Sequence, residues 1–269
     1  MKRILFPTDF SDASRNAFQY AQALARHIGL TIDLMTVYHI PMSEASRVPA
    51  DEVNALLEER KKEMRDKLRD FTADCPKEVL GDLRTDYGLF VAREITDAAE
   101  REGYDLIVMG TRGNHPAVDR ILGSVTTRTM MHAPCPVLAV PEGASWLEID
   151  HIAYATDFQP SDEHAVRQLM EFAGLFGASV HFAHVNTSAP VGDAVASYEL
   201  EDYPFPFTDF SVINHHIVTE GIERFIEDKD IDVLALFIPR RRLWERLFHS
   251  SMSRRLTFAG KTPLLVFHE

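Results

Sequence analysis

The strongest constraint on this chain is that it repeats itself. Ile4-Leu5-Phe6-Pro7-Thr8-Asp9-Phe10 recurs as Ile152-Ala153-Tyr154-Ala155-Thr156-Asp157-Phe158, an offset of 148. The same offset carries Gly29-Leu30-Thr31-Ile32-Asp33-Leu34-Met35-Thr36-Val37 onto Gly177-Ala178-Ser179-Val180-His181-Phe182-Ala183-His184-Val185. From Tyr104-Asp105-Leu106-Ile107-Val108-Met109 onward the partner is Ile231-Asp232-Val233-Leu234-Ala235-Leu236, at an offset of 127 that runs through Pro136 and Pro263. The second copy has therefore lost about twenty residues, the difference between 148 and 127, between its second and third strands. A chain with this register is built from two copies of one unit.

Each copy alternates short aliphatic or β-branched runs with helical patterns, the signal for parallel strands joined by crossover helices. The expectation is an α/β fold of two tandem, five-stranded, parallel, doubly wound domains with strand order 3-2-1-4-5, at residues 1–142 and 150–269. In the first copy the strands fall near 3 to 7, 31 to 37, 80 to 86, 104 to 110 and 136 to 140. One helix opens at Asp12-Ala13-Ser14, runs to His27 with Ala17, Tyr20, Ala21 and Leu24 at helical spacing, and stops at Gly29. A second, highly charged, covers 51 to 73 with Val53, Leu56, Leu57, Met64, Leu68 and Phe71 as its apolar stripe. In the second copy the stretch from Asn186 to Asp209, rich in proline, aromatic and acidic residues, takes the place of that helix and reads as an irregular excursion. A short linker around Glu142-Gly143-Ala144-Ser145 joins the copies.

Composition narrows the functional classes. The 269 residues are 45% hydrophobic and 26% charged, with a net charge of −13. That balance suits a globular protein with substantial cores and argues against general nucleic-acid binding, which needs cationic neutralisation of phosphates. The basic stretch Arg240, Arg241, Arg242, Arg246, Arg254 and Arg255 is read as a solvated helix face. No apolar run approaches the roughly 20 residues of a membrane span. Pro7 and Asp9 interrupt the apolar start, so it reads as a first strand rather than a leader. Two cysteines, Cys75 and Cys135, make neither a metal cluster nor a disulfide framework, and a reducing, cytoplasmic setting is expected. His181 and His184 are three apart on a strand, and His215 and His216 are adjacent. Each pair faces opposite sides if extended, so neither is a metal-ligand couple.

The chemistry is carried by Gly110-Thr111-Arg112-Gly113, nine further residues, and Gly123-Ser124-Val125-Thr126 at a helix start. Glycines permit positive φ and close backbone approach, and unpaired N–H groups at a helix N-terminus point at phosphate oxygens, with Ser124 and Thr126 adding hydroxyl donors. This is neither a Walker A loop nor the dinucleotide fingerprint. In a sheet of order 3-2-1-4-5 the first and fourth strands flank the switch point where ligands enter, so Asp9 and the Gly110 loop face one crevice. Asp9 also has a plainer reading, as a cap for the helix that follows it.

With its Gly-x2-Gly-x9-Gly-Ser pattern after the fourth strand and an Asp ending the first, the chain resembles the universal stress protein family over essentially its whole length. The resemblance implies an adenine nucleotide alpha hydrolase-like fold that binds ATP or AMP, with Mg2+ accompanying the triphosphate. It implies adenine or ribose contacts from Asp9 and the Val37 backbone, with Pro7 and Thr8 shaping that wall. Met109, Gly110, Arg112 and Gly113 would hold the ribose and phosphate path, and Gly123, Ser124, Val125 and Thr126 the phosphates. In the second copy Gly110 becomes Phe237, Gly113 becomes Arg240 and Gly123 becomes Ser250; Ser251 and Asp157 survive. That copy is expected not to bind ATP and to be kept for structure. Family members dimerise through their last strands, which implies that Val137-Leu138-Ala139-Val140 and Leu264-Leu265-Val266-Phe267 pair within one chain as a pseudo-dimer. A homodimer and an unidentified protein partner are compatible with this. A regulatory ATP-binding role in stress, with no fast catalysis and no assignable catalytic residue, is the first expectation. The alternatives are a slow ATPase or nucleotidyl-transfer enzyme, or an interaction module with a vestigial nucleotide site.

Overall fold

The structure is a computed structural model describing residues 1, 3–40, 49, 52–111, 122–146, 148–156, 163–188, 192–196, 207–238 and 261–268. Arg112, Gly113, Asp157, Ser250, Ser251 and the arginines at 240, 241, 242, 246, 254 and 255 lie outside the described residues.

Strands β1 (Arg3–Pro7), β2 (Thr31–Tyr38), β3 (Leu80–Tyr87), β4 (Leu106–Gly110) and β5 (Val137–Val140) make up the first copy. Helices α1 (Asp12–Ile28), α2 (Val53–Phe71), α3 (Val91–Glu102) and α4 (Ser124–His132) connect them. The second copy has β6 (His151–Ala155), α5 (Glu163–Gly174), β7 (Ser179–Asn186), β8 (Gly192–Ala196), β9 (Asp209–Asn214), α6 (Val218–Asp228), β10 (Val233–Ile238) and β11 (Leu264–His268). The eleven described strands lie in one sheet of order β3-β2-β1-β4-β5-β11-β10-β6-β7-β9-β8. Both copies therefore follow the 3-2-1-4-5 order. Among the described residues the five strands expected of the second copy become six, because part of the Asn186–Asp209 stretch forms β8, which pairs antiparallel with β9.

Local causes are visible element by element. The Ser11 side chain caps α1 by accepting from the Ser14 N–H, and Gly29 ends it at φ 69. Gly177, its counterpart at offset 148, also has φ 69. β4 and β5 are buried along their whole length, as parallel strands covered on both faces must be. Alternate side chains feed two cores: Ile4, Phe6, Leu34 and Val108 on one face, Leu5, Met35, Ile107 and Met109 on the other. Helix α2 is tied to the first core chiefly by Leu68 and Phe71, the buried members of its expected stripe.

The copies meet where β5 and β11 pair antiparallel, Leu264 opposite Ala139, Leu265 opposite Leu138 and Val266 opposite Val137. The linker is held to α1, where Asn16 Nδ2 donates to Pro141 O at 3.1 Å and Ala144 O at 3.0 Å. Trp146 packs edge-on against Tyr20 at 5.1 Å, and His27 stacks on Phe176 at 5.3 Å.

Under the strand N-termini, Asp33 is buried and satisfied. It accepts from Arg3 Nε at 3.0 Å, Tyr104 OH at 2.8 Å and the Asp82 N–H at 2.7 Å. Burial, then the hydrogen bond to Asp33, pushes the Tyr104 phenol up to about 12.

Candidate functional site

β1 and β4 are neighbours, Ile4 opposite Leu106 and Leu5 opposite Ile107, so the chain leaves both strands side by side at the switch point. After Pro7, the buried last residue of β1, the Thr8 N–H donates to Met35 O of β2 at 2.8 Å. The Thr8 hydroxyl lies 2.8 Å from Ser14 Oγ and accepts the Phe10 N–H at 3.0 Å. Asp9 is exposed at the rim. Its Oδ1 accepts from the Ser11 N–H at 3.1 Å and from Ser11 Oγ at 2.6 Å. The cap of α1 is Ser11, and Asp9 orients that cap rather than capping the helix itself.

Phe10, which sequence reasoning passed over, sits at φ 64. A bulky residue in the left-handed region is strained, and such strain gathers at functional sites. The Phe10 ring is held edge-on to Phe71 at 5.7 Å. Val37 is half-buried on the strand face that carries Met35. Beyond it, Tyr38 meets Tyr87 edge-on at 5.8 Å; burial first, and then Glu58, raises the Tyr38 phenol, which stays protonated as a donor.

On the β4 side, Met109 is 5% exposed and belongs to the second core. The Thr111 N–H donates to Val140 O at 3.1 Å, and Thr111 O accepts the Gly123 N–H at 2.8 Å. One backbone bond thus draws together the two ends of the segment carrying Arg112 and Gly113. Thr111 was not singled out in the sequence because its part is played entirely by the backbone.

Gly123 precedes α4 at φ −59 and ψ 149, with no side-chain cap. The first intrahelical bond runs from Thr127 N–H to Gly123 O at 2.9 Å. The Ser124, Val125 and Thr126 N–H groups, in the first turn, have no carbonyl of their own helix to donate to. The helix dipole adds positive potential there. Ser124 is exposed and Val125 half-buried. Two expectations are corrected. Gly110 closes an extended strand and Gly123 has negative φ, so neither needs the left-handed region. The Thr126 hydroxyl donates to Gly110 O at 2.9 Å and so clamps α4 to β4 instead of standing as a donor at the helix start.

Ser124 and Val125 also border a cleft of about 680 Å³ between α3 and α4, lined by Leu89, Phe90, Val91 and Arg128. Leu89 and Phe90 are 65% and 63% exposed, and the signal for them was an apolar pair following Gly88 in a turn. Among the described residues no group of His, Cys, Asp and Glu could hold a metal ion, and no helix is long and apolar enough to cross a membrane. In the second copy Phe237, the counterpart of Gly110, is a β10 residue packed against the first core.

Fold and turn together define a doubly wound α/β protein in which the start of α4 is tied to the end of β4 at the switch point. A sequence profile of the Universal stress protein family matches residues 1–141. Universal stress protein MJ0531 of Methanocaldococcus jannaschii is 31% identical over 143 residues, 52% of this chain and 81% of that one. A universal stress protein of Thermus aquaticus is 35% identical over 142 residues, covering 52% of this chain and 98% of its own. The crystal structure of a universal stress protein from Archaeoglobus fulgidus matches 99% of this chain and 96% of its own, with a TM-score of 0.67 at 16% identity. That likeness is one of fold, and it extends through the second copy. The chain belongs to the universal stress protein family.

Proposed function

We propose that residues 1–142 form a domain that binds ATP with Mg2+, and that residues 150–269 form a second domain that supports it without binding nucleotide. The protein acts by binding, as a regulatory stress protein of the cytoplasm, and not by fast catalysis. The observation that carries this reading is the tie of Thr126 to Gly110 O and of Gly123 to Thr111 O. These bonds hold the first turn of α4 against the end of β4, beside the β1 end that bears Asp9. Three first-turn N–H groups with no carbonyl of their own helix, together with the helix dipole, suit a phosphate, and the exposed Asp9 carboxylate suits ribose hydroxyls. AMP satisfies the same contacts with one phosphate. The antiparallel junction of β5 and β11 supports a pseudo-dimer of the two domains.

Gly123→Arg tests the site without straining it, because φ −59 and ψ 149 are open to any residue. Calorimetry is expected to lose the heat of Mg-ATP binding while the melting temperature is kept. Wild-type affinity in this variant would exclude the first turn of α4 as the phosphate site.

A further inference from the structure

Helix α4 has nine residues, too few to be stable alone in water. Both of its ends therefore depend on outside partners. Its first turn is fastened to β4 through Thr126. At the other end the last carbonyls have no intrahelical N–H to accept from. His132 Nδ1 lies 2.9 Å from Arg128 O one turn back, and two of the orphan carbonyls find donors: Thr129 O accepts the Ala133 N–H at 2.9 Å, and Met130 O accepts from His268 Nε2.

The last of these partners comes from the other half of the chain, 138 positions away. His268 closes β11 and is 5% exposed. β11 is laddered to β5, so a strand of the shared sheet, not a loop, delivers the imidazole to α4. The contact has no mirror image, because the counterpart of His268 at offset 127 is Pro141, which lacks both a ring donor and a backbone N–H.

We propose that His268 is a positioning residue for the nucleotide site: by capping the C-terminal end of α4 from the second domain, it fixes the helix whose first turn receives the phosphates. This rests on the proposed reading of that turn as the phosphate site. An imidazole donor complements the negative end of the helix dipole as an anion complements the positive end. Ligand at one end and the second domain at the other favour the same ordered helix, so each strengthens the hold of the other.

The test is calorimetric titration of Mg-ATP into the full-length wild type, His268→Ala and His268→Gln, with thermal melts and amide hydrogen exchange of α4 alongside. His268→Ala is expected to bind about fivefold more weakly, the worth of one ordinary hydrogen bond. His268→Gln, which keeps a side-chain N–H donor, recovers most of that loss. The Ala133 amide exchanges faster in His268→Ala than in the wild type. A purely structural His268 would lower the melting temperature of His268→Ala and leave its ATP affinity at the wild-type value, and that result overturns the proposal. Unchanged exchange at α4 in both variants also overturns it, even if His268→Ala folds too poorly to titrate. Failure of the wild type itself to bind Mg-ATP would remove the phosphate-site reading and this inference with it.

Discussion

One threonine behaves differently from what its spacing suggests. Thr126 was legible as a site residue because it follows Gly123-Ser124 at a helix start, yet residue spacing says nothing about rotamers. Its hydroxyl turns inward to Gly110 O and is 3% exposed as a residue. Thr126→Val keeps the shape and removes the donor, leaving a buried carbonyl without this partner. It should destabilise the protein by about 1–3 kcal/mol in chemical denaturation, and an unchanged midpoint would contradict the clamp. Asp9 was legible as the acid ending the first strand, but its grip on Ser11 was not, since two hydrogen bonds in one turn leave no periodic trace. Phe10 was illegible for a related reason: positive φ announces itself in sequence through glycine or asparagine, and a phenylalanine gives no such sign.

Among elements, strands buried on both faces were legible to within two residues, because runs such as Leu106-Ile107-Val108-Met109 are apolar and too short for a helix. β8 was missed; Gly192-Asp193-Ala194-Val195-Ala196 has one β-branched residue and lies at the sheet margin, where pairing rather than composition makes a strand. The offset of 127 already holds at the third strands and their following helices: Asp82 maps to Asp209, and Val91 to Val218. The deletion therefore falls where the first copy has α2. The repeat also exposes a substitution of chemistry. Arg3 and Asp33 of the first copy become His151 and His181, with His151 Nδ1 3.1 Å from His181 Nε2 and His181 Nδ1 2.9 Å from Asp209 Oδ1. Lys229 Nζ donates to Asp209 Oδ2 at 2.7 Å. Burial pushes the Asp209 carboxyl up, but the hydrogen bonds from Lys229 and His181 outweigh it and hold it below its usual range. A carboxylate whose folded value is depressed stabilises the fold above its unfolded value of about 3.9, and that stability is lost as pH falls through the folded value. Asp209→Asn should therefore cost on the order of 1 kcal/mol at neutral pH, after allowance for partial solvent screening. The deficit should shrink in urea melts as the pH is lowered below the unfolded value of about 3.9 and through the depressed folded value. An equal deficit at neutral and at low pH would show that the carboxylate charge is not what matters.

At the scale of the molecule, one sheet runs through both copies and the two cores are shared, with Ile4 and Phe267 in one and Leu5 and Val266 in the other. Pairing β5 with β11 shelters two apolar edges that would otherwise invite aggregation. That junction was legible from the matching apolar strands. The contact of His268 with α4 was not, because nothing in a sequence reveals which carbonyl a strand-end imidazole will meet. A chain ending at Glu142 should self-associate through its bared β5 edge or melt below the full-length protein. A stable monomer with unchanged melting, by size-exclusion and thermal denaturation, would show that the second domain is not a structural partner. The central claim is that one copy binds nucleotide and the other serves it, and stoichiometry tests this most directly. Calorimetric titration of the full-length protein with Mg-ATP should saturate at about one nucleotide per chain, since Phe237 stands where the first copy has Gly110. A stoichiometry near two, or no binding at all, would contradict the account.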